Sequence, residues 1–303
     1  MSGPIVTFSL LNWNQTDFTL ACLRSLARQD YRNHRVVLVD NGSDPESLKP
    51  IADEFPDITL IRNQHNIGFT GGNNQAIERA LADGADYVML LNNDTEVAPD
   101  MLRLLVDFAE ADSRIGIVGP LIYYYDAPDH IWFAGGLVDP DSAAARALGD
   151  GEVDDGSRSA AKVDYISGCA LLIKREVVEK IGLIDDRMFI YYEEADWCAR
   201  TREAGYDIWF VPTAKVWHKI SMQVRGVSRR YIYLMTRNRL LYLRNRRAPA
   251  WRIIWEWAAN DLRQAALWAI LPRYRDRRPM AEYKLRGVTD FLRNRFGEPP
   301  FPR

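Results

Sequence analysis

The sequence predicts an α/β protein in which helices cover both faces of a mostly parallel sheet. Two observations lead to this class. Short, continuously apolar runs recur through the first third of the chain, and segments with an apolar spacing near 3.6 residues separate them. A strand that is apolar along its whole length is buried on both faces, as in a parallel sheet covered by helices. The 303 residues, 47% of them hydrophobic, suffice for a sizeable core.

The first third of the chain is expected to alternate between strands and helices. The four predicted strands lie at residues 5–12, 36–40, 58–62 and 87–92. The three predicted helices between them lie at residues 16–29, 45–55 and 71–84. Because ligands bind beyond the carboxyl ends of strands in such sheets, the polar residues that come after three of the strands are expected to meet at one edge. These residues are Asn12, Asp40, Asn41, Asn92, Asn93 and Asp94.

The pattern changes in the middle of the chain. Residues 126–162 are rich in Gly, Ala, Asp and Ser and have little periodicity, which predicts a mobile active-site flap or insertion, with disorder as the alternative. Residues 163–182 predict two strand-like pieces that lead into a helix. Residues 193–205 predict a helix that ends at Gly205, and the run at 206–212 predicts a further strand.

Charge divides the chain into two unlike parts. Residues 225–303 hold 19 Lys and Arg against 6 Asp and Glu, whereas the rest holds 20 against 35. The basic part is predicted to form amphipathic helices with Arg on one side and Trp, Leu and Ile on the other, which favours an anionic membrane surface as partner. Packing against the first part, or a homodimer interface, is the alternative. Nucleic acid is not expected, since none of its usual recognition motifs is present.

The cysteines and the amino terminus bear on the cellular compartment. Cys22, Cys169 and Cys198 stand singly in apolar surroundings, an odd, scattered set that favours a reducing environment over a disulfide framework or a zinc site. The first residues lack a basic segment and lead directly into a predicted strand, and no window of about 18 residues is free of charge. We therefore expect a cytoplasmic protein that attaches peripherally to the inner face of the membrane.

Two motifs in the first third suit a nucleotide. In VDNGSD, an acid and a tight turn directly follow a strand, so that Asp40 can accept from a base N–H while Gly42 lets the backbone approach. In HNIGFTGGNN, residues 65–74, glycines lead into a helix whose free N–H groups suit a diphosphate or sugar hydroxyls. Taken alone, each motif is equally explained as an ordinary turn or helix cap.

Further acids suit a cation and a proton acceptor. Asp94 ends a buried strand beside two carboxamides, which suits a hydrated Mg²⁺ or Mn²⁺ bound mainly through phosphates, although Asn-Asp is also a common turn pair. Glu193, Glu194 and Asp196 begin a helix behind two tyrosines. Such acids often only complement the helix dipole, but two adjacent glutamates can raise the pKa of one carboxyl and supply a general base. His218 follows an apolar strand, where a core role is the commoner one.

Together and in this order, these motifs resemble those of the family 2 nucleotide-sugar glycosyltransferases, which have the GT-A fold. Within that family the likeness is greatest to bacterial rhamnosyltransferases that build cell-surface polysaccharide. The segments that carry the resemblance are colinear: SLLNWN (9–14), VDNGSD (39–44), NIGFTGGNN (66–74), LLNNDT (90–95), SGCALLIKREV (167–177), FIYYEEADWCARTREAGY (189–206) and VWH (216–218).

The resemblance implies that one set of residues binds the nucleotide-sugar donor and the substrate. Asp40 would accept the N3–H of the base, and Asn12 and Asn41 would lie near the base and the ribose. The other members of this set are Asn66, Gly68, Gly72, Asn73, Asn74, Asn92, Asn93 and Asp196.

The resemblance also implies a metal site and a catalytic base. Asp94 is the one carboxylate left where the family has a D-x-D metal motif, so Asp94 would hold Mg²⁺ or Mn²⁺, with His218 as a second protein ligand. The family usually has Glu-Asp before the following helix, and the second acid is the base. This chain has Glu193 and Glu194, so Glu194 takes that place, and the departure leaves open which of the two carboxylates is the base.

The implied protein has a GT-A catalytic domain at residues 1–224, with a nucleotide-sugar-binding half at 1–120 and an acceptor half at 121–224, and a basic helical extension at 225–303. It would move a sugar, with L-rhamnose from dTDP-rhamnose as the first expectation, to a saccharide or lipid-linked acceptor in cell-surface polysaccharide synthesis. A single displacement with inversion is expected, since no nucleophile for a double displacement is evident.

Three alternatives stay open at this point. A transferase of the same fold could use a UDP-sugar. A nucleotidyltransferase would usually have a glycine-rich loop with Arg and Lys after the first strand, where this chain has SLLNWNQTD. A non-catalytic carbohydrate-binding protein could retain a degenerate site, as the reduced metal motif allows.

Overall fold

The computed structural model describes residues 3–220, 222 and 228–301. Its strands are β1 (Val6–Asn12), β2 (His34–Asp40), β3 (Thr59–Arg62), β4 (Tyr87–Asn92), β5 (Thr95–Val97), β6 (Ile115–Tyr124), β7 (Ile131–Phe133), β8 (Gly136–Val138), β9 (Ala145–Ala147), β10 (Ala161–Lys162), β11 (Ala170–Lys174) and β12 (Asp207–His218). Its α-helices are α1 (Thr16–Leu26), α2 (Lys49–Glu54), α3 (Gly68–Ala82), α4 (Met101–Glu110), α5 (Arg175–Ile181), α6 (Glu193–Glu203), α7 (Arg229–Asn245), α8 (Ala250–Trp255), α9 (Arg263–Ile270) and α10 (Arg278–Leu292). A π-helical segment, Glu256–Leu262, joins α8 to α9.

A ten-stranded sheet forms the centre of the protein, with the order β10-β12-β6-β11-β4-β1-β2-β3, to which β5 adds on β12 and β7 on β6. The strands β3, β2, β1 and β4 are mutually parallel, because a helix returns the chain to the same end of the sheet after each strand. β11 runs antiparallel to both β4 and β6. The predicted α/β class, with a largely parallel sheet and flanking helices, is confirmed, and β11 is an antiparallel exception that the sequence did not predict.

The parallel strands are buried as their composition requires. Val6, Phe8 and Leu10 of β1 are fully buried, and β4 is buried from Tyr87 to Leu91. Helix α3 begins at Gly68, three residues before its predicted start. Because β1, β2 and β4 are parallel, their carboxyl ends lie at one edge of the sheet. The turns after these strands form the floor of a cleft.

The segment expected to be a flap contains short strands. β7 pairs with β6, β8 and β9 form a hairpin, and β10 pairs with β12. β7, β8, β9 and β10 have only two or three residues each, which is too short to produce a visible periodicity in the sequence. β6, which the sequence analysis did not identify, is buried at every position.

The basic part of the chain contains the predicted helices. α7 has nine buried residues and packs on α10, and its Arg237 and Asn238 also donate to the carbonyl oxygen of Met188 in the first part of the chain. α8 has none. Within the described residues no helix combines the length and apolar character needed to span a membrane. The predicted boundary between residues 224 and 225 falls outside the described residues, so the division into domains stays a prediction.

Candidate active site

A cleft of about 480 Å³ opens at the carboxyl edge of the sheet. We call it the first cavity. Asn12 ends β1, Asn41 comes directly after β2, and Asn92 ends β4. Asn93 and Asp94 lie in the turn between β4 and β5, and all five residues line this cavity. The structure thus brings together the three polar clusters that the sequence predicted to meet.

A buried hydrogen-bond network supports the floor of the first cavity. Asp40 is fully buried beneath it, and its Oδ1 accepts from Asn12 Nδ2 at 2.9 Å while its Oδ2 accepts from Ser43 N at 3.0 Å. Thr19 Oγ1 donates to Asn12 Oδ1 at 2.9 Å and accepts from Asn93 Nδ2 at 2.9 Å. The carboxylate therefore orients Asn12, and its predicted contact with a base stays a prediction.

The start of α3 forms one wall of the first cavity. Asn66 Oδ1 accepts from Gly68 N at 2.8 Å, and Asn41 Nδ2 donates to Gly68 O at 3.0 Å. Gly68 has φ +89°, and a Cβ there would lie 2.7 Å from the ring of Phe189 and 2.8 Å from its carbonyl oxygen. Only glycine fits this close approach.

The rest of the glycine-rich motif packs inside the protein. A Cβ on Gly72 would lie 2.8 Å from a side chain of β1. Asn73 Oδ1 accepts from Ser9 Oγ at 2.7 Å, and the carboxamide of Asn74 makes a reciprocal pair with the backbone of Ile184 at 2.9 and 3.0 Å. These contacts fix α3 to the sheet and to the loop before α6, while direct substrate contact by these three residues stays a prediction.

Asp196 is also occupied within the protein. It is 1% exposed, and its carboxylate contacts Arg200 at 2.9 Å, Arg246 at 3.3 Å and the carboxamide of Asn245 at 3.1 Å. The acid therefore links α6 to the end of α7. Its predicted place among the substrate-binding residues stays a prediction.

Asp94 and His218 form a carboxylate–imidazole pair beside the first cavity. β5 and β12 are paired there, and His218 Nε2 lies 3.1 Å from Asp94 Oδ1. Apart from this ion-pair contact, Asp94 Oδ1 has no hydrogen-bond partner among the described residues, and His218 Nδ1 is likewise buried without one. Burial lowers the pKa of His218, but the neighbouring Cys169 and Asp94 outweigh it and raise the pKa to about 10.

This pair suits a divalent cation that completes its coordination with ligands from outside the chain. A carboxylate oxygen and an imidazole nitrogen, Asp94 Oδ1 and His218 Nε2, lie 3.1 Å apart, but the described residues contain no group of three His, Cys, Asp or Glu that could enclose a metal. Mg²⁺ and Mn²⁺ accept such sites, since water and substrate phosphates supply the remaining ligands.

Glu193 and Glu194 stand at the first turn of α6, after Tyr192, which has φ +72°. Glu193 is 4% exposed, whereas Glu194 is partly exposed and lines another cavity. Oε2 of each glutamate is buried without a hydrogen-bond partner among the described residues. Burial raises the pKa of both carboxyls, and the charge of Glu194 adds to the effect on Glu193. Of the two acids, Glu194 is the one that lines this cavity.

The second cavity, of about 270 Å³, adjoins the first and is mainly aromatic. Tyr191 and Tyr231 line both cavities, with their ring centroids 5.1 Å apart in an edge-on arrangement. Rings of Trp132, Phe133, Tyr165 and Tyr192 complete its walls around Glu194. Asp94 of the carboxylate–imidazole pair therefore lines one cavity, and Glu194 lines the next.

Several lining residues were missed by the sequence analysis. Ser228, Arg230 and Tyr231, from the start of α7, line the first cavity although this part of the chain was predicted to be an extension. The Arg230 guanidinium lies 5.2 Å from the ring centroid of Phe189. The available signal was the basic and aromatic sequence RRYIY shortly after His218.

The fold and the two adjoining cavities define a GT-A glycosyltransferase. The family model described as "Glycosyl transferase family 2" matches residues 11–182. The chain belongs to this family, and the family resemblance predicted from its motifs is confirmed.

Relatives of known activity include rhamnosyltransferases. The N-acetylglucosaminyl-diphospho-decaprenol L-rhamnosyltransferase of Mycobacterium tuberculosis is 25% identical over 256 residues, which cover 78% of this chain and 82% of the relative. The dTDP-rhamnosyl transferase RfbF of Shigella flexneri is 25% identical over 228 residues, or 72% of this chain and 73% of the relative. The predicted likeness to rhamnosyltransferases is thus confirmed.

Two solved structures share the fold at 17% sequence identity. The structure of GalNAc-T7 with UDP, GalNAc and Mn²⁺ matches with a TM-score of 0.65 over 96% of this chain, which spans 56% of that chain. The mannosyltransferase PcManGT of Pyrobaculum calidifontis, in complex with GDP-Man and Mn²⁺, matches with a TM-score of 0.58 over 96% of this chain and 88% of that one. At this identity the likeness shows the GT-A fold alone.

Proposed function

We propose that the protein transfers a sugar from a nucleoside diphosphate in the first cavity to an acceptor hydroxyl in the second. The observation that carries this proposal is the arrangement of the two cavities around Tyr191 and Tyr231, with Asp94 and His218 on one side and Glu194 on the other. Displacement of a diphosphate from an anomeric carbon needs positive charge at the leaving group and a base at the incoming hydroxyl. A cation held by Asp94 and His218 would provide the positive charge, and Glu194 would provide the base.

Asp94 and His218 are proposed to hold Mg²⁺ or Mn²⁺. The close approach of the carboxylate and the imidazole supports this role, as does the presence of Mn²⁺ in both structural neighbours. When bound, the cation neutralises charge on the leaving diphosphate. Arg230 lines the same cavity and supplies a further positive charge from the chain itself.

Glu194 is proposed to be the general base. Its carboxylate takes the proton of the acceptor hydroxyl, the acceptor oxygen forms a bond to the anomeric carbon, and the bond from that carbon to the diphosphate oxygen breaks. Because Glu194 and the Asp94–His218 pair face different cavities, acceptor and leaving group would stand on opposite sides of the sugar, which corresponds to a single displacement with inversion.

The proposed donor is dTDP-rhamnose and the proposed acceptor a saccharide or a lipid-linked saccharide in cell-surface polysaccharide synthesis. The relatives from Shigella flexneri and Mycobacterium tuberculosis support both, one by its dTDP-rhamnosyl activity and the other by its decaprenol-linked substrate. Asp40 does not decide the base, since thymine and uracil both present an N3–H.

We expect dTDP-rhamnose to bind more tightly than UDP-galactose or UDP-N-acetylglucosamine in calorimetric titrations with Mn²⁺. Incubation with the same nucleotide sugars should release dTDP from dTDP-rhamnose faster than UDP from the others. Much tighter binding of a UDP-sugar would replace the proposed donor while leaving the reaction type intact. Binding without hydrolysis or transfer of any nucleotide sugar would favour the non-catalytic alternative.

An exposed apolar face on α8 is proposed to dock on an anionic membrane. Trp251, Ile254 and Trp255, which share one side of the helix, are 70%, 53% and 63% exposed. On another side, Arg252 Nε donates to the carbonyl of Asp141 at 2.7 Å, which holds α8 against the β8–β9 hairpin. Aromatic side chains favour the membrane interface, and each nearby basic residue contributes about 1 kcal/mol at an anionic surface. Exposed arginines stand a short distance along the chain at positions Arg273, Arg275, Arg277 and Arg278.

The protein is therefore expected to sediment with vesicles of phosphatidylcholine and phosphatidylglycerol, and much less with phosphatidylcholine alone. The double substitution Trp251→Ser and Trp255→Ser should abolish this binding. Leu60→Ser, at an exposed apolar position on the edge strand β3, is the matched control and should bind like the wild type. Equal binding to both vesicle types would contradict docking on an anionic surface. Absence of binding to either type, together with a dimer in light scattering, would assign the exposed face of α8 to a dimer interface.

A further inference from the structure

The backbone directly before the acid pair has an uncommon conformation. Phe189, Tyr191 and Tyr192 have φ values of +65°, +73° and +72°, a region that non-glycine residues seldom adopt. Ile190 N also donates to Met188 O at 2.8 Å around Phe189, whose ψ is −54°, which makes this turn a γ-turn of the rare type. Such a conformation persists only where surrounding contacts enforce it.

A single buried carboxamide on α7 provides those contacts. Asn238 is fully buried, and its Nδ2 donates to the carbonyl oxygens of Met188, Ile190 and Tyr191 at 2.8, 2.9 and 2.8 Å. Three carbonyls within four residues therefore converge on one amide nitrogen. No regular helix or strand would direct its carbonyls in this way.

The neighbouring Arg237 fixes the orientation of that amide. Arg237 Nε donates to Asn238 Oδ1 at 3.0 Å, so the amide nitrogen must face the carbonyls. The same guanidinium donates through Nη2 to Met188 O at 3.2 Å and through Nη1 to Gly297 O at 2.9 Å. Arg237 is fully buried and makes no direct ion pair within residues 3–220 and 228–301. Its Nη1 donates to the Tyr233 hydroxyl at 3.4 Å, and that hydroxyl donates to Asp290 at 2.8 Å. Burial of a guanidinium that is bonded mainly to neutral carbonyls adds little net stability, which favours a role in positioning those carbonyls.

The segment that Asn238 holds connects both cavities with the acid pair. Phe189 O accepts from Phe69 N at 2.8 Å and Thr70 N at 3.2 Å, in the first turn of α3. Tyr191 lines both cavities, and α6 begins with the acid pair two residues later. A shift of this backbone would therefore move the wall between the cavities and the carboxylate together.

We propose that Asn238, oriented by Arg237, is a positioning residue for sugar transfer. It holds the backbone of residues 188–191 so that Tyr191 separates the cavities and Glu194 faces the acceptor. This inference rests on the proposed function, since the position matters only if Glu194 acts on a bound acceptor. Asn238 itself contacts no substrate.

Asn238→Ala is expected to lower kcat for transfer by about 10²-fold, the usual cost of a displacement near 1 Å at reacting groups. Asn238→Asp keeps the shape of the side chain and gives Arg237 a counter-charge, so this variant should fold. Because a carboxylate cannot donate to the three carbonyls, the variant should lose kcat to a similar degree. Calorimetric affinity for the nucleoside diphosphate with Mn²⁺ should fall much less than kcat, because the strand ends at the floor of the first cavity stay in place.

Leu240→Ala is the matched control for a loss of packing. Leu240 is fully buried on the same helix and makes no side-chain hydrogen bond, so this change should lower Tm while kcat is retained. Equal losses of kcat in Leu240→Ala and Asn238→Ala, or retained kcat in both Asn238 variants, would overturn the proposal.

Hydrogen exchange of the backbone amides at residues 188–192 provides a readout that needs no activity. Exchange there should be faster in Asn238→Ala and unchanged in Leu240→Ala. If the wild type transfers no sugar from any nucleotide donor, the proposed function fails, and the exchange result still decides whether Asn238 holds this segment. Unchanged exchange in Asn238→Ala would refute that role.

Discussion

Glu194→Gln is expected to lower kcat for sugar transfer by about 10²–10⁴-fold, the usual contribution of general-base catalysis. The change keeps the shape of the side chain but removes the basic oxygen that faces the second cavity. Donor binding should stay nearly intact, because the Asp94–His218 pair and the strand ends lie at the first cavity. Initial rates with saturating donor, together with calorimetric donor affinity, measure the two effects separately.

Glu193→Gln is the matched control for this substitution. Glu193 is almost completely buried and does not line either cavity, so its loss should reduce kcat much less. If the two variants show the reverse order, Glu193 is the base. An equally small loss in both would remove the acid pair from the proposed mechanism.

The raised pKa of Glu194 also predicts the direction of the pH profile. A general base works when deprotonated, so kcat should fall as the pH drops through the raised pKa, and Glu194→Gln should lack this decrease at low pH.

The raised pKa of Glu193 also affects stability. A carboxyl whose pKa is raised on folding stabilises the fold fully below its unfolded pKa of about 4.3 and loses that contribution as the pH rises through the folded value. Glu193→Gln should therefore raise Tm at neutral pH and have less effect in acid.

The parts of the site that the sequence predicted correctly are those fixed by strand ends. Parallel strands such as β1 and β4 are apolar throughout, so their limits show in the sequence, and a topological rule places the residues after their carboxyl ends at one edge. Asn12, Asn41 and Asp94 meet for this reason. The motif could not show which way the side chains of α3 turn, and Asn73 and Asn74 face the protein interior.

The contribution of α7 could not be predicted in this way. Its excess of Arg resembled a surface element, and nothing in the local pattern shows that Arg237 and Asn238 are fully buried against a loop about 50 residues earlier. Such contacts depend on tertiary packing, since the helix has polar residues on the side that meets the loop. The short strands around Trp132 escaped detection for a different reason, because three residues are too few to establish a period.

Asp94→Ala is expected to abolish donor binding that depends on Mn²⁺ and to lower kcat/KM by at least about 10²-fold, the cost of losing one group that stabilises charge in the transition state. Asp94 lines the first cavity, and its Oδ1 lies 3.1 Å from His218 Nε2. His218→Ala should weaken Mn²⁺ binding without abolishing it, because the carboxylate remains.

The test for this metal site should include a measurement other than activity. Titration of Mn²⁺ in the presence of nucleoside diphosphate, monitored by electron paramagnetic resonance, reports binding directly. Glu96→Gln is the matched control, since Glu96 lies on the same strand β5 but pairs with Lys219 at 2.9 Å. This variant should bind Mn²⁺ like the wild type, so a loss confined to Asp94→Ala and His218→Ala separates a ligand set from a general loss of negative charge. Full transfer activity of the wild type in excess chelator would contradict the metal role, and Arg230, which lines the first cavity, would then be a candidate to neutralise the diphosphate.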